Sequence, residues 1–524
     1  MMKKNFKCLL GLTLSAAMVI GMTACGNEPV KESETQVVSK ETTAVKESET
    51  QQVEEGVTYP LDTDETFTLW SHRLDLHPDC KDYTESPFHM GLIENTGVNI
   101  EFLFPTKGQT DKEAYNLMLT EIELPNIILA STSNSELSDF YNDGIIYDLT
   151  PYLEEYAPDY WAYLTAPGNE DVYRGAKTSD GKILAFWSAR ESQWGNVFCG
   201  PMIRQDWLDE CNLDAPVTLE DWEHVLTVFK DKYNATLGFE ASYLTNILFA
   251  SGTGAMGTGA GNGYYVDDNG ELQVVWMQPE WKEYMEVLIR WYDAGLIDQD
   301  SVTMDMAACR TKAANNQIGA SWGAMSRMTN FINDAKANGS SANWVGVSYP
   351  RVAEGEPTSM ILWGNILQAT GAFITTSCPE EQLITAIKFL NYGYSEEGIM
   401  YHNFGTEGVS YTIDEEGNAQ WTDVVLNDPQ GLGTAVYKYS GASEAPMSIQ
   451  LTQLVRLRNS EETSAAVDIW MENTNAGKHF VPSITLTDEE KLDYTDKFTA
   501  IKTYVNVTLF QSCFCFFSSR IYTV

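Results

Sequence analysis

Basic residues are scarce in this 524-residue chain: 33 Lys and Arg stand against 74 Asp and Glu, a formal net charge of −41. With no basic stripe to displace counterions from phosphates, nucleic-acid binding is not expected. Histidines number only six, and none falls in an H-E-x-x-H zinc motif; a G-x-S-x-G nucleophile elbow and a Walker A lysine motif are also missing. No cofactor is expected, while the missing motifs do not by themselves exclude a glycosidase. Within the body, Cys80, Cys199, Cys211, Cys309 and Cys378 have no paired spacing, which points to neither a disulfide framework nor a zinc site, and they read as small buried apolar side chains. The apolar run of residues 9–22 is too short to span a membrane.

That run follows Lys3, Lys4 and Lys7, the charge pattern of a signal peptide, so residues 1–24 predict export. It ends at Met22-Thr23-Ala24-Cys25-Gly26, which resembles the bacterial lipobox with Met22 in place of the commoner leucine. The resemblance implies lipidation of Cys25 and a protein tethered to the outer face of the cytoplasmic membrane; the alternative is an ordinary signal peptide with an inert Cys25. Residues 25–56 are nearly devoid of large apolar side chains and cannot offset chain entropy by burial, so they read as a disordered tether. Within it Val30-Lys31-Glu32-Ser33-Glu34-Thr35-Gln36 recurs as Val45-Lys46-Glu47-Ser48-Glu49-Thr50-Gln51, a duplicated spacer.

The remaining body is long enough for more than one domain. Phe67-Thr68-Leu69-Trp70, Val98-Asn99-Ile100-Glu101-Phe102 and Asn126-Ile127-Ile128-Leu129-Ala130 read as strands separated by helical stretches, an α/β pattern. Thr218 and Asp221 have capping-box spacing ahead of an apolar stripe of Trp222, Val225, Leu226 and Phe229. Similar stripes run through Trp281, Tyr284, Met285, Leu288 and Trp291, and through Leu383, Ala386, Ile387 and Leu390 after Pro379.

Ile203-Arg204-Gln205-Asp206-Trp207-Leu208-Asp209 and Pro216-Val217-Thr218-Leu219-Glu220-Asp221-Trp222 are similar to the bacterial extracellular solute-binding protein family 1, in particular the large lipoproteins of carbohydrate ABC importers. Trp291-Tyr292-Asp293-Ala294-Gly295-Leu296-Ile297-Asp298 and Gly405-Thr406-Glu407-Gly408-Val409-Ser410-Tyr411 keep the same family order, and the resemblance covers roughly residues 57–505. It implies an α/β, two-lobed periplasmic-binding-protein-like fold of class II type, with a ligand cleft between discontinuous lobes that closes by hinge motion. By that analogy lobe 1 takes residues 57–185 and 366–415, and lobe 2 residues 186–365 and 416–505. Residues 506–524 depart from the family as an atypical hydrophobic tail with no helical stripe; a frame shift or mis-called gene end is the preferred reading and a tail with a role of its own the alternative. The implied function is capture of an oligosaccharide by a monomeric receptor and its delivery to separate ABC permease subunits; an exported glycoside hydrolase and a receptor for a non-sugar ligand such as a peptide are the alternatives.

A sugar presents apolar C–H faces and a ring of hydroxyls, which flat aromatics and polar side chains complement. Trp187 and Trp194, after an expected strand at residues 181–185, are the first candidate ligand contacts; Trp322, Trp363 and Asn365 follow, at glycine-flanked strand ends. Arg204 is divided evenly between ligand contact and an ion pair with Asp206, and Glu407 between ligand contact and a glycine hinge near a third crossing. Core burial competes on equal terms with ligand contact for every aromatic named. Arg190, Arg204, Arg310 or Arg327 in the cleft would suit an acidic sugar. Gly252-Thr253-Gly254-Ala255-Met256-Gly257 matches the dinucleotide-binding glycine pattern but runs into more glycines where a helix should begin, and reads as a loop. Carboxylates are so abundant that no glycosidase pair stands out.

Overall fold

The computed structural model describes residues 56–71, 77–106, 109–190, 199–240, 249–258, 263–301, 303–361, 367–415, 417–430, 432–441, 446–449, 461–472, 479–481 and 484–510. The three apolar runs expected as strands form β1 (Thr66–Ser71), β2 (Asn99–Leu103) and β3 (Ile127–Ser131). In chain order there follow β4 (Phe186–Arg190), β5 (Cys199–Arg204), β6 (Thr236–Gly238), β7 (Gly257–Thr258), β8 (Tyr264–Val266), β9 (Leu272–Val274), β10 (Ile318–Ala324), β11 (Trp344–Gly346) and β12 (Met360–Ile361). The last four are β13 (Leu367–Ile374), β14 (Tyr411–Ile413), β15 (Ala419–Trp421) and β16 (Ser448–Ile449).

These strands make two main sheets. The first has the order β16-β4-β13-β3-β1-β2, with β13 running antiparallel between β3 and β4; the second has the order β11-β5-β10-β6. Each sheet has its own apolar core. Phe67, Ile128, Phe186, Phe373 and Tyr392 belong to one, and Trp222, Phe229, Trp291, Trp344 and Trp470 to the other. The helix Leu219–Tyr233 starts with the expected capping box: the Thr218 side chain accepts from the Asp221 backbone N–H, and the Asp221 carboxylate accepts from the Thr218 N–H. Its stripe of Trp222, Val225, Leu226 and Phe229 is fully buried, as apolar spacing at helical period requires. The helix Pro279–Asp293 buries Trp281, Tyr284, Leu288 and Trp291 and keeps Met285 at the margin of the same core.

The chain is partitioned differently from the expectation in three places. The strand expected at residues 181–185 forms five residues later, as β4, and belongs to the first sheet, so the first boundary moves from 185/186 to beyond residue 190. Flanked by β13 on one side and β16 on the other, β4 is buried from Phe186 through Ala189 and shows none of the alternation that marks a half-exposed strand. Residues 416–449 stay with the first body: Ser448 and Ile449 pair with Ala189 and Arg190, and Trp421 packs on Phe404. The helix Glu461–Met471 returns to the second body, with Trp470 Nε1 donating to the Pro201 carbonyl at 3.1 Å. Finally, a helix spans Asp488–Phe510, so the body does not end at Val505 as expected. That helix touches both bodies, through Lys491 to Asp139 at 2.5 Å and through Tyr494 and Phe498 against Tyr264. Residues 1–55, on which the expected signal peptide, Cys25 and tether fall, and residues 511–524 lie outside the described set.

Candidate functional site

Strand register locates the site. β4 ends at Arg190 and β5 begins at Cys199, so an eight-residue connection, which reaches at most about 28 Å, ties the C-terminal edge of the first sheet to one edge of the second. A second connection, from β11 to β13, uses the same two edges. β11 runs antiparallel to β5 towards Cys199, and β13 enters the first sheet with Leu367 paired to Ala189. β16 leaves it with Ile449 paired to Arg190. At the first edge stand Ser71, Ser131, Arg190 and Leu367; at the second stand Cys199, the residues following β6, and Ala324, which pairs with Cys199. Loops beyond the C-terminal ends of parallel strands are where open α/β sheets bind ligands.

The sequence-chosen residues fall in different places. Trp187 is 3% exposed within the first core; its ring covers Gly371, where an added Cβ would come within 3.1 Å of it, and its carbonyl accepts from the Tyr394 hydroxyl. Its indole N–H has no hydrogen-bond partner, a cost that buried polar groups rarely carry. Trp322, 3% exposed, sits near the connecting end of β10 in the second core. Trp194, Trp363 and Asn365 lie outside the described residues.

Arg204 is paired within the fold. It ends β5 on the side away from Cys199, and its guanidinium grips Asp206 at 2.8 and 2.6 Å, donates to Asn316 at 2.6 Å and lies 4.1 Å from the Trp207 ring centre. These contacts, at the end of β5 away from the connecting edge, favour the ion-pair reading, in which Arg204 orients the helix Gln205–Cys211. Arg310 is likewise paired with Asp334, at 2.5 and 2.6 Å.

Glu407 lies in the exposed turn between Gly405 and Gly408, both at positive φ. It opens on a concavity of about 550 Å³ shared with Asn95, Glu396, Glu397 and Tyr411, to which the second sheet contributes nothing. The negative charge of Glu407 adds to burial in raising the Tyr411 hydroxyl above its usual range. The crossing does not adjoin Glu407, because the chain first goes on to β14, β15 and β16 and only after Ile449 passes to the second-body helix Glu461–Met471.

Sequence reasoning missed Glu240. It follows β6 near the connecting edge and is ion-paired with Arg327, which also donates to the Trp322 carbonyl at 2.7 Å. Nothing around Glu240 marks it in the sequence, since β6 is three residues long and has no pattern of its own. The glycine-rich stretch forms a 3-10 turn at Ala250–Thr253 and then β7, which pairs with β12 beside the second connection; among the described residues the next element is the strand β8.

Burial pushes the Cys199 thiol up to about 12 and the Cys309 and Cys378 thiols to about 11, so these cysteines are protonated and inert. Among the described residues no group of three or more His, Cys, Asp or Glu is placed to hold a metal ion. No described helix is long and apolar enough to cross a membrane.

A family model described as bacterial extracellular solute-binding protein matches residues 80–412, a stretch that runs through both bodies. Lipoprotein LipO of Bacillus subtilis (strain 168) is 23% identical over 380 residues, 70% of this chain and 70% of that protein. The fructooligosaccharide ABC transporter substrate-binding protein FusA of Streptococcus pneumoniae serotype 4 (strain ATCC BAA-334 / TIGR4) is 27% identical over 290 residues, 51% of each chain. A solved structure of FusA in complex with kestose matches with a TM-score of 0.64 and 16% identity, covering 85% of this chain and 91% of that one. The alginate-binding protein AlgQ2, solved without calcium ion, matches with a TM-score of 0.69 and 22% identity over 88% of this chain and 94% of that one.

Proposed function

Because the chain belongs to the bacterial extracellular solute-binding protein family, whose members bind solutes and do not transform them, we propose that it captures an uncharged oligosaccharide between its two bodies. It is the substrate-binding component of an ABC transporter, and in this reading it passes the bound sugar to the permease subunits while a lipid on Cys25 holds it at the outer face of the membrane. The observation that carries the reading is the shared edge: two connections, β4 to β5 and β11 to β13, attach at the same side of each sheet, so the bodies can hinge about them and close on a ligand. Similarity to a fructooligosaccharide-binding protein supports a sugar, and similarity to a lipoprotein supports the anchor.

The charge of the ligand follows from the arginines. Of the four that could suit an acidic sugar, Arg204, Arg310 and Arg327 are held by Asp206, Asp334 and Glu240. The field of a chain with a net charge of −41 also opposes an anionic ligand.

A thermal-shift screen tests this directly, since a ligand bound only to the native state at 100 times its Kd stabilises by about 2.7 kcal/mol. Kestose or another neutral oligosaccharide should raise the melting temperature, and alginate oligosaccharides should not. A rise with alginate oligosaccharides alone would overturn the neutral assignment, and a rise with peptides alone would replace the sugar. For the anchor, Cys25→Ala should move the protein from the membrane fraction to the soluble one.

A further inference from the structure

A saccharide cleft of the kind proposed above needs fixed acceptors for sugar hydroxyls, and the inference that follows rests on that reading. β6 and β10 run parallel, with Gly238 opposite Ser321, so Glu240 emerges beside the end of β10 and close to the connecting edge. Arg327, in the first turn of the helix Met325–Ala337, is 1% exposed and donates to four neighbours: a Glu240 oxygen, the Trp322 carbonyl at 2.7 Å, Ser321 Oγ at 3.2 Å and Cys309 Sγ at 3.9 Å. The space is shaped for the guanidinium, because a Cβ on Gly323 would stand 2.6 Å from Arg327 Nε. Ser321 is fixed in turn by donating to the Gly238 carbonyl at 2.6 Å.

The two partners differ in access. The Arg327 side chain is 1% exposed, whereas the Glu240 side chain keeps 12% of its surface open. The carboxylate is the end that an arriving ligand can reach. Stability does not account for the arrangement, since a buried ion pair is commonly no better than an apolar pair of similar volume.

We propose that Glu240 is a ligand contact on the second body's side of the cleft, accepting hydrogen bonds from sugar hydroxyls, and that Arg327 is its positioning residue. Arg327 holds the carboxylate and the Trp322 backbone in one rigid frame before the ligand arrives, so less ordering is left for binding to offset. A carboxylate already bonded to its own arginine keeps lone pairs for neutral donors, and the buried arginine it holds is not offered to an anionic ligand, which agrees with an uncharged saccharide.

The test is a cycle of Glu240→Gln, Arg327→Met and the double variant in the full chain, read by apo melting temperature and by calorimetric titration with kestose, maltotriose and raffinose. Glu240→Gln should weaken binding at least tenfold. The double variant should recover the apo melting temperature, because no buried charge is left alone, yet remain at least tenfold weaker in binding. A double variant with wild-type affinity would overturn the assignment and leave the pair a structural one. Should Glu240→Gln fail to fold, the double variant still decides. Binding of none of the three sugars by the wild-type protein would overturn the saccharide reading and this assignment together, an outcome distinct from any result of the variants.

Discussion

The two bodies differ in what they seal away from water. In the first, His402 is buried against Phe88, Tyr392 and Tyr401, with its Nδ1 donating to the Gly398 carbonyl at 2.9 Å; it borders a cavity of about 60 Å³ lined mainly by apolar side chains. Burial pushes its pKa down to about 4, so it is neutral at physiological pH. In the second body the sealed group is a charge, Arg327, with Glu240 as its counter-ion. A neutral imidazole is tolerated until a proton is offered, whereas a guanidinium keeps its charge at every pH and depends on its partner at all times. The first body should therefore be sensitive to acid, and the second to loss of one side chain.

The largest effect that sharpens this contrast is Arg327→Met alone. It strands the Glu240 carboxylate and should destabilise the second body by about 3 kcal/mol, seen as an earlier urea transition that the added Glu240→Gln change reverses. An unchanged transition would mean that the pair is not load-bound within the fold and would remove the contrast.

Acidification comes next. Since the folded-state pKa of His402 lies below its unfolded value near 6.5, its stabilising neutral form is fully present above that value. The contribution is lost as pH falls from about 6.5 towards 4, with roughly 2 kcal/mol gone by pH 5. Denaturant titrations at pH 7 and pH 5 should show the loss in the wild type and a smaller one in His402→Leu. Equal losses in both would assign the acid sensitivity to other groups.

The smallest effect serves as an uncharged control. Thr218→Ala removes the oxygen that accepts from the Asp221 backbone N–H and should cost about 1 kcal/mol in the second body without altering its pH dependence between 7 and 5. A cost that grew on acidification would tie the cap to the charge network.

What could be read from the sequence was whatever obeys a period. β1, β2 and β3 and the capped helix Leu219–Tyr233 announced themselves through apolar spacing and a cap. β4 did not, because its five residues, Phe186-Trp187-Ser188-Ala189-Arg190, are buried through Ala189 without alternation, and its start slipped by five residues. The return of residues 416–449 to the first sheet rests on a two-residue strand, too short to leave any pattern. At the site the limit is similar. Arg204 and Asp206 are near neighbours in sequence, and their pairing was foreseeable as one of two readings. Arg327 and Glu240 are 87 residues apart, and nothing short of the fold brings them together.

The position of β13 bears on how the molecule is made. It fills the middle of the first sheet, between β3 and β4, yet residues 191–366 separate it in sequence from β4. A chain that emerges from its N-terminus therefore presents a sheet with a slot in it, with the unpaired N–H and C=O groups of β3 and β4 facing that slot. Most of the second body is contiguous, from β5 to β11, and can assemble while the slot is still open. Synthesis order thus favours the second body first, and the first body stays incomplete, and open to mispairing, until its last central strand is delivered.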